Sequence, residues 1–171
     1  MNPFHPSIER KINHIGNTYE KMFSDTCDME EEIATFCEQT EPIFKKFTDT
    51  NNKLLQIKKE GELSDLEMQE HWKMSDTIAE KTKQYLPLLS DLVYNTKPSL
   101  DEIYNFQHQF TKDLQQLSNN KNNKTVSEII TGKIEKQFLS LQQTFITIRQ
   151  KIDTCKKTVA DIENTFSKSH N

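Results

Sequence analysis

Apolar side chains recur along the first sixty residues in alternating steps of four and three. Ile8, Ile12, Ile15, Tyr19, Met22, Thr26, Met29, Ile33, Phe36, Thr40, Ile43, Phe47, Thr50, Leu54 and Ile57 keep this rhythm without a slip. Twelve of these 15 positions are apolar, against about five expected from a hydrophobic content of 33%. A 3.5-residue repeat sustained this long predicts one helix over about 6–59, packed against partners in coiled-coil fashion. At about 1.5 Å per residue it would span roughly 80 Å. Phe23, Cys37 and Phe44 fall beside the seam and widen it, so this helix should meet two neighbours. Pro42 lies inside the pattern, but the heptad phase is the same on both sides. It therefore predicts a kink at an outer position of a continuous helix, not a break. Thr26, Thr40 and Thr50 on the seam either set register or pack their methyls and bond the preceding turn with their hydroxyls.

Lys59-Glu60-Gly61-Glu62 reads as a turn, with Gly61 suited to the left-handed conformation that ends helices. Ser64 with Glu67 forms a capping box that opens a second helix over about 64–95. Its stripe includes Met68, His71, Met74, Ile78, Tyr85, Leu89 and Leu92, and is interrupted at Pro87. Asn95-Thr96-Lys97-Pro98 predicts a break. A second capping box, Ser99 with Glu102, then opens a helix over about 99–118 carrying Leu100, Ile103, Gln107, Phe110, Leu114 and Leu117. The polar run from Ser118 to Lys124 is a loop. Thr125 with Glu128 opens the last helix, about 125–167. Its positions Ile134, Phe138, Leu141, Phe145, Ile148, Ile152, Cys155, Val159, Ile162 and Phe166 are all apolar, on polar flanks.

The fold class this predicts is all-α: an elongated antiparallel coiled-coil-type bundle forming a single domain. Two long seams need long partners, which favours three rods, the middle one broken near Thr96–Pro98, over four separate helices of unequal length. Charge points the same way. Seven acids and no base lie between Met22 and Phe44, while residues 149–157 hold Arg149, Lys151, Lys156 and Lys157 against Asp153 alone. A parallel first and last helix would set these blocks side by side. An antiparallel pairing would instead bring the acids near Lys133, Lys136 and Arg149.

Composition narrows the function classes. Three glycines and five prolines in 171 residues suit long helices. A net charge of -4 argues against a nucleic-acid binder, which needs a basic face. No apolar stretch approaches 18 residues and the start lacks a secretory pattern, so a cytoplasmic protein, or one delivered into a host cytoplasm, is expected. Cys27, Cys37 and Cys155 are odd in number and widely spaced, as expected of reduced thiols. No phosphate-binding glycine loop, GxSxG or HExxH occurs. Glu67 and His71, one turn apart, make at best half a metal site and read as a surface pair. The expectation is a protein with no enzymatic activity, no cofactor and no metal.

What remains is macromolecular binding. The leading reading is a protein–protein interaction module, scaffold or adaptor, resident in a cytosol or acting there as a microbial effector. Glu30, Glu31, Glu32, Glu38 and Glu41 form a block too concentrated for neighbouring bases on the same helix to neutralise, and are candidates for a basic partner. Trp72, the only tryptophan, is either core or an interface anchor. Asn2-Pro3-Phe4 resembles the tripeptide bound by EH domains of the endocytic machinery; alternatively Phe4 staples the start of the first helix. The competing class is a membrane-surface dimer similar in general shape to BAR domains, which the acidic balance counts against. A homodimer is compatible with either reading.

Overall fold

The computed structural model describes residues 5–61 and 64–170, apart from the side chains at positions 47, 54, 58, 166 and 168–170. Among the described residues there are four α-helices and no strand: α1 (Pro6–Glu60), α2 (Asp65–Tyr94), α3 (Lys97–Asn119) and α4 (Lys124–His170). The fold is all-α, a helical bundle, as the heptads predict. Asn2, Pro3 and Phe4 lie outside the described residues.

Local chemistry accounts for the helix ends. Gly61 follows α1 with φ at +70°, a conformation that costs other residues a Cβ clash. The Ser64–Glu67 box forms in both directions: the Glu67 amide donates to Ser64 Oγ at 3.3 Å, and the Ser64 amide donates to Glu67 Oε2 at 3.2 Å. The other two boxes do not open their helices. α3 starts at Lys97, so Ser99 already lies within its first turn, and the cap position is Thr96, without a side-chain cap bond. Pro98 makes the earlier start possible, because its missing N–H falls where the first turn has no acceptor for it. α4 likewise starts before Thr125, capped by Asn123, whose Oδ1 accepts from the Val126 amide at 3.2 Å. Pro42 and Pro87 are exposed inside α1 and α2, and both helices continue through them.

Packing groups the chain into two compact units. The first comprises Met1–Glu30 and Asn95–Arg149; the second comprises Glu31–Tyr94 and Gln150–Asn171. In the first unit, α1 and α4 run parallel: Lys11 pairs with Glu135 at 3.2 Å, and Ile15 lines a cleft with Phe138 and Leu139. α3 runs antiparallel to both. A Cβ on Gly16 would meet Phe110 at 3.9 Å, whereas Tyr19 packs its ring against Phe106 at a tilt of 55° and donates to the Ile103 carbonyl at 2.7 Å. The core is Ile8, Ile12, Ile15, Tyr19, Met22, Thr26 and Met29 from α1, Leu100, Ile103, Phe106 and Leu117 from α3, and Ile134, Phe138, Leu141 and Ile148 from α4.

The second unit repeats this arrangement with α2 as the antiparallel member. Glu32 pairs with Lys156 across parallel α1 and α4. Lys81–Asp161 and Lys151–Asp91, both 2.9 Å, fix α2 antiparallel to α4. Its core is Phe36 and Thr40 from α1, Met68, Ile78, Tyr85 and Leu92 from α2, and Ile152, Cys155, Val159 and Ile162 from α4. Phe44 stacks on Tyr85, just as Phe23 in the first unit meets Tyr104 edge-on, so two of the three widened positions of α1 reach a second neighbour, while Cys37 is half-buried. Thr26 and Thr40 are buried with their hydroxyls donated to the carbonyls of Met22 and Phe36, which removes the cost of burying them.

α3 departs from its expected stripe. Gln107 is exposed, and Phe106 and Asp113 are buried in its stead. Steps of 103, 106, 110, 113 and 117 fit the helix as well as the predicted set does. Choosing between them from polarity alone puts an amide in the core and a carboxylate outside.

Candidate interaction surface

The acidic block of α1 is divided between the two units. In the first unit Glu30 is exposed but committed, since Tyr104 donates its hydroxyl to Glu30 Oε2 at 2.7 Å. The same hydroxyl lies 3.7 Å from Cys27 Sγ. Burial, and then the hydrogen bond to the Glu30 carboxylate, push the Tyr104 phenol far above the ordinary tyrosine range. That phenol is therefore a fixed donor at any ordinary pH, and it helps hold α3 on α1.

In the second unit Glu32 is half-buried and accepts from Lys156. Glu31, Glu38 and Glu41 are exposed and point to solvent. Two of the five predicted carboxylates are thus spent on the chain's own fold, and three remain facing outward. Sequence reasoning had no means of separating them, because what distinguishes them is which side of α1 faces α3 or α4.

An apolar patch that the heptads did not announce lies in the same unit. Leu86, Val93 and Tyr94 of α2 are exposed, with Tyr94 at 75%. Leu86 and Val93 are seven residues apart on the flank that carries Ser75 and half-buried Leu89. Ser75 donates to Asn51 of α1 at 2.6 Å, so this flank of α2 adjoins α1. In the antiparallel register set by Phe44 against Tyr85, Leu86 stands level with Ile43, two residues from Glu41. Exposed Leu86, Val93 and Tyr94 on α2 and exposed Glu31, Glu38 and Glu41 on α1 thus belong to the same unit. The signal available in the sequence was the i, i+7 spacing of Leu86 and Val93 outside the main stripe. Trp72, on α2 in the same unit, is half-buried and engaged within the protein.

No group of three or more His, Cys, Asp or Glu side chains among the described residues is placed to hold a metal ion. No described helix is long and apolar enough to cross a membrane. Cys27, Cys37 and Cys155 are free thiols, exposed, half-buried and buried in that order. Burial pushes Cys37 and Cys155 up, away from the thiolate a nucleophile needs.

The fold defines a helical-bundle protein. No family model matches the chain, no curated protein matches it in sequence, and no solved structure matches its fold.

Proposed function

We propose that this protein is a non-enzymatic protein–protein interaction module, and that the α1/α2 side of its second unit docks a basic, amphipathic segment of another protein. The observation supporting this reading is that one unit carries both exposed carboxylates on α1 (Glu31, Glu38, Glu41) and exposed apolar side chains on α2 (Leu86, Val93, Tyr94). Apolar side chains in the centre of an interface supply affinity, while charge at its rim raises the on-rate and selects the partner's sign. Scaffold, adaptor and delivered effector are all roles such a module can fill. The membrane-surface alternative needs basic side chains free to meet anionic lipid. In this unit Lys81, Lys151 and Lys156 are each paired with an acid of the fold, but Lys45, Lys53, Lys73 and Lys83 are also exposed, so it is the acidic net charge of -4 that favours the protein partner.

The choice of substitutions matters for the test. Reversing Glu30 or Glu32 would break the Tyr104 bond or set a lysine against Lys156, and would confuse folding with binding. Reversing Glu31, Glu38 and Glu41 to Lys touches only exposed side chains and should leave helical content unchanged. With the wild-type protein as bait, capture of a basic partner should weaken as salt rises through the range where the screening length falls below about 10 Å. The triple reversal should lower capture at least tenfold at low salt. Equal capture with the same salt dependence would show that this face is not the docking surface.

A further inference from the structure

The least well satisfied group in the core of the first unit is Asp113 of α3. It occupies a seam position between buried Phe106 and Leu117 and is only 1% exposed. Its Oδ1 accepts from Gln109 Nε2 at 3.0 Å, and its Oδ2 has no hydrogen-bond donor in the protein. The cation facing it, Lys133 of α4, stands 3.6 Å away with 53% of its own side chain in solvent. That separation exceeds the roughly 2.7–3.2 Å of an ordinary N–H···O bond. The buried hydroxyls one turn along α4 give no relief. Thr131 donates to the Ser127 carbonyl, and Ser127 donates to the Asn120 carbonyl. A carboxylate taken out of water with one short bond and a distant cation does not recover its hydration.

We infer that the Asp113 layer is a built-in weak point at which the α3–α4 hairpin of this unit opens locally, below the free energy of global unfolding. Opening hydrates the carboxylate and bares Leu117 and Ile130, both buried when the hairpin is closed. In the neighbouring layers Ile103 and Phe106 on α3 and Ile134 and Phe138 on α4 are buried and apolar, and the one unpartnered group beside them, Gln137 Oε1, belongs to a neutral amide and not a carboxylate, so these layers should stay shut. The last two turns of α3 and the first two of α4 are then the segment that opens. Local openings of this kind are where binding and switching segments are drawn from.

Amide hydrogen exchange, corrected for intrinsic rates, tests this directly. In the wild-type protein, amides from Asp113 to Thr131 that are bonded within the helices should exchange at least tenfold faster than those around Ile103 and Phe138. Asp113→Leu should slow the 113–131 amides at least tenfold and leave the others nearly unchanged. Uniform protection across the unit in the wild type, or equal slowing everywhere in the variant, would overturn the inference. Should Asp113→Leu fold poorly, Lys133→Met provides the second arm. Removing the facing cation should speed exchange of the same amides, and unchanged exchange there would equally overturn the inference.

Discussion

Truncating Ile148 to alanine is expected to cost roughly 2–5 kcal/mol of stability, the usual range for deleting a large buried side chain. Ile148 is 1% exposed in the first unit, and its loss leaves a cavity that packed helices fill only in part. Phe36→Ala should fall in the same range in the second unit, where Phe36 is buried beside Thr40. The control is Ile146, two residues from Ile148 and 45% exposed. Removing part of an already solvated side chain should cost under about 1 kcal/mol. Urea unfolding of the three variants checks this. A loss at Ile146 equal to that at Ile148 would mean that the face of α4 is wrongly assigned.

The second large effect is alkaline. Tyr85 is 0% exposed and stacks on Phe44, and its hydroxyl has no partner at hydrogen-bonding geometry. It lies near Thr40, whose own hydrogen is committed to the Phe36 carbonyl. Burial is the main cause that pushes the Tyr85 phenol up to about 12, and Cys155 and Cys37 add to it. The sign follows from linkage. A raised folded-state pKa favours the native protein as long as the phenol is neutral in both states, so this stability is intact below about pH 10. Between pH 10 and 12 the unfolded chain sheds the proton and the native one does not, and stability falls by about 3 kcal/mol. Tyr85→Phe should remove that part of the decline. At neutral pH it should be neutral to stabilising by about 1 kcal/mol, because an unpartnered buried hydroxyl is lost. Stability measured from pH 8 to 12 on both proteins isolates this residue from Tyr19 and the buried thiols, which shift in the same direction. An unchanged slope in Tyr85→Phe would refute the assignment.

Most of the fold was legible in the chain itself. The 4–3 spacing of α1 and α4 identified their buried faces correctly from Ile8 to Thr40 and from Ile134 to Ile162, because a long repeat averages out local exceptions. α3 was less legible. In a helix of 23 residues, two overlapping stripes fit equally well, and the one containing an aspartate looked worse on polarity. Two capping boxes were misplaced for a related reason. Ser99–Glu102 and Thr125–Glu128 carry the right residues, but Pro98 and Asn123 allow the helix to begin earlier.

By itself, then, the sequence determined which residues are helical and, on the long helices, which side of each is buried, since both follow from spacing along one chain. Only the tertiary structure decided which charges are free. Glu30 and Glu31 are adjacent and chemically alike, yet one holds Tyr104 and the other faces water. The same holds for Leu86 and Val93, left exposed at the edge of α2, and for Asp113, buried against α4. A side chain's free energy depends on what stands across from it, and that neighbour comes from a distant part of the chain.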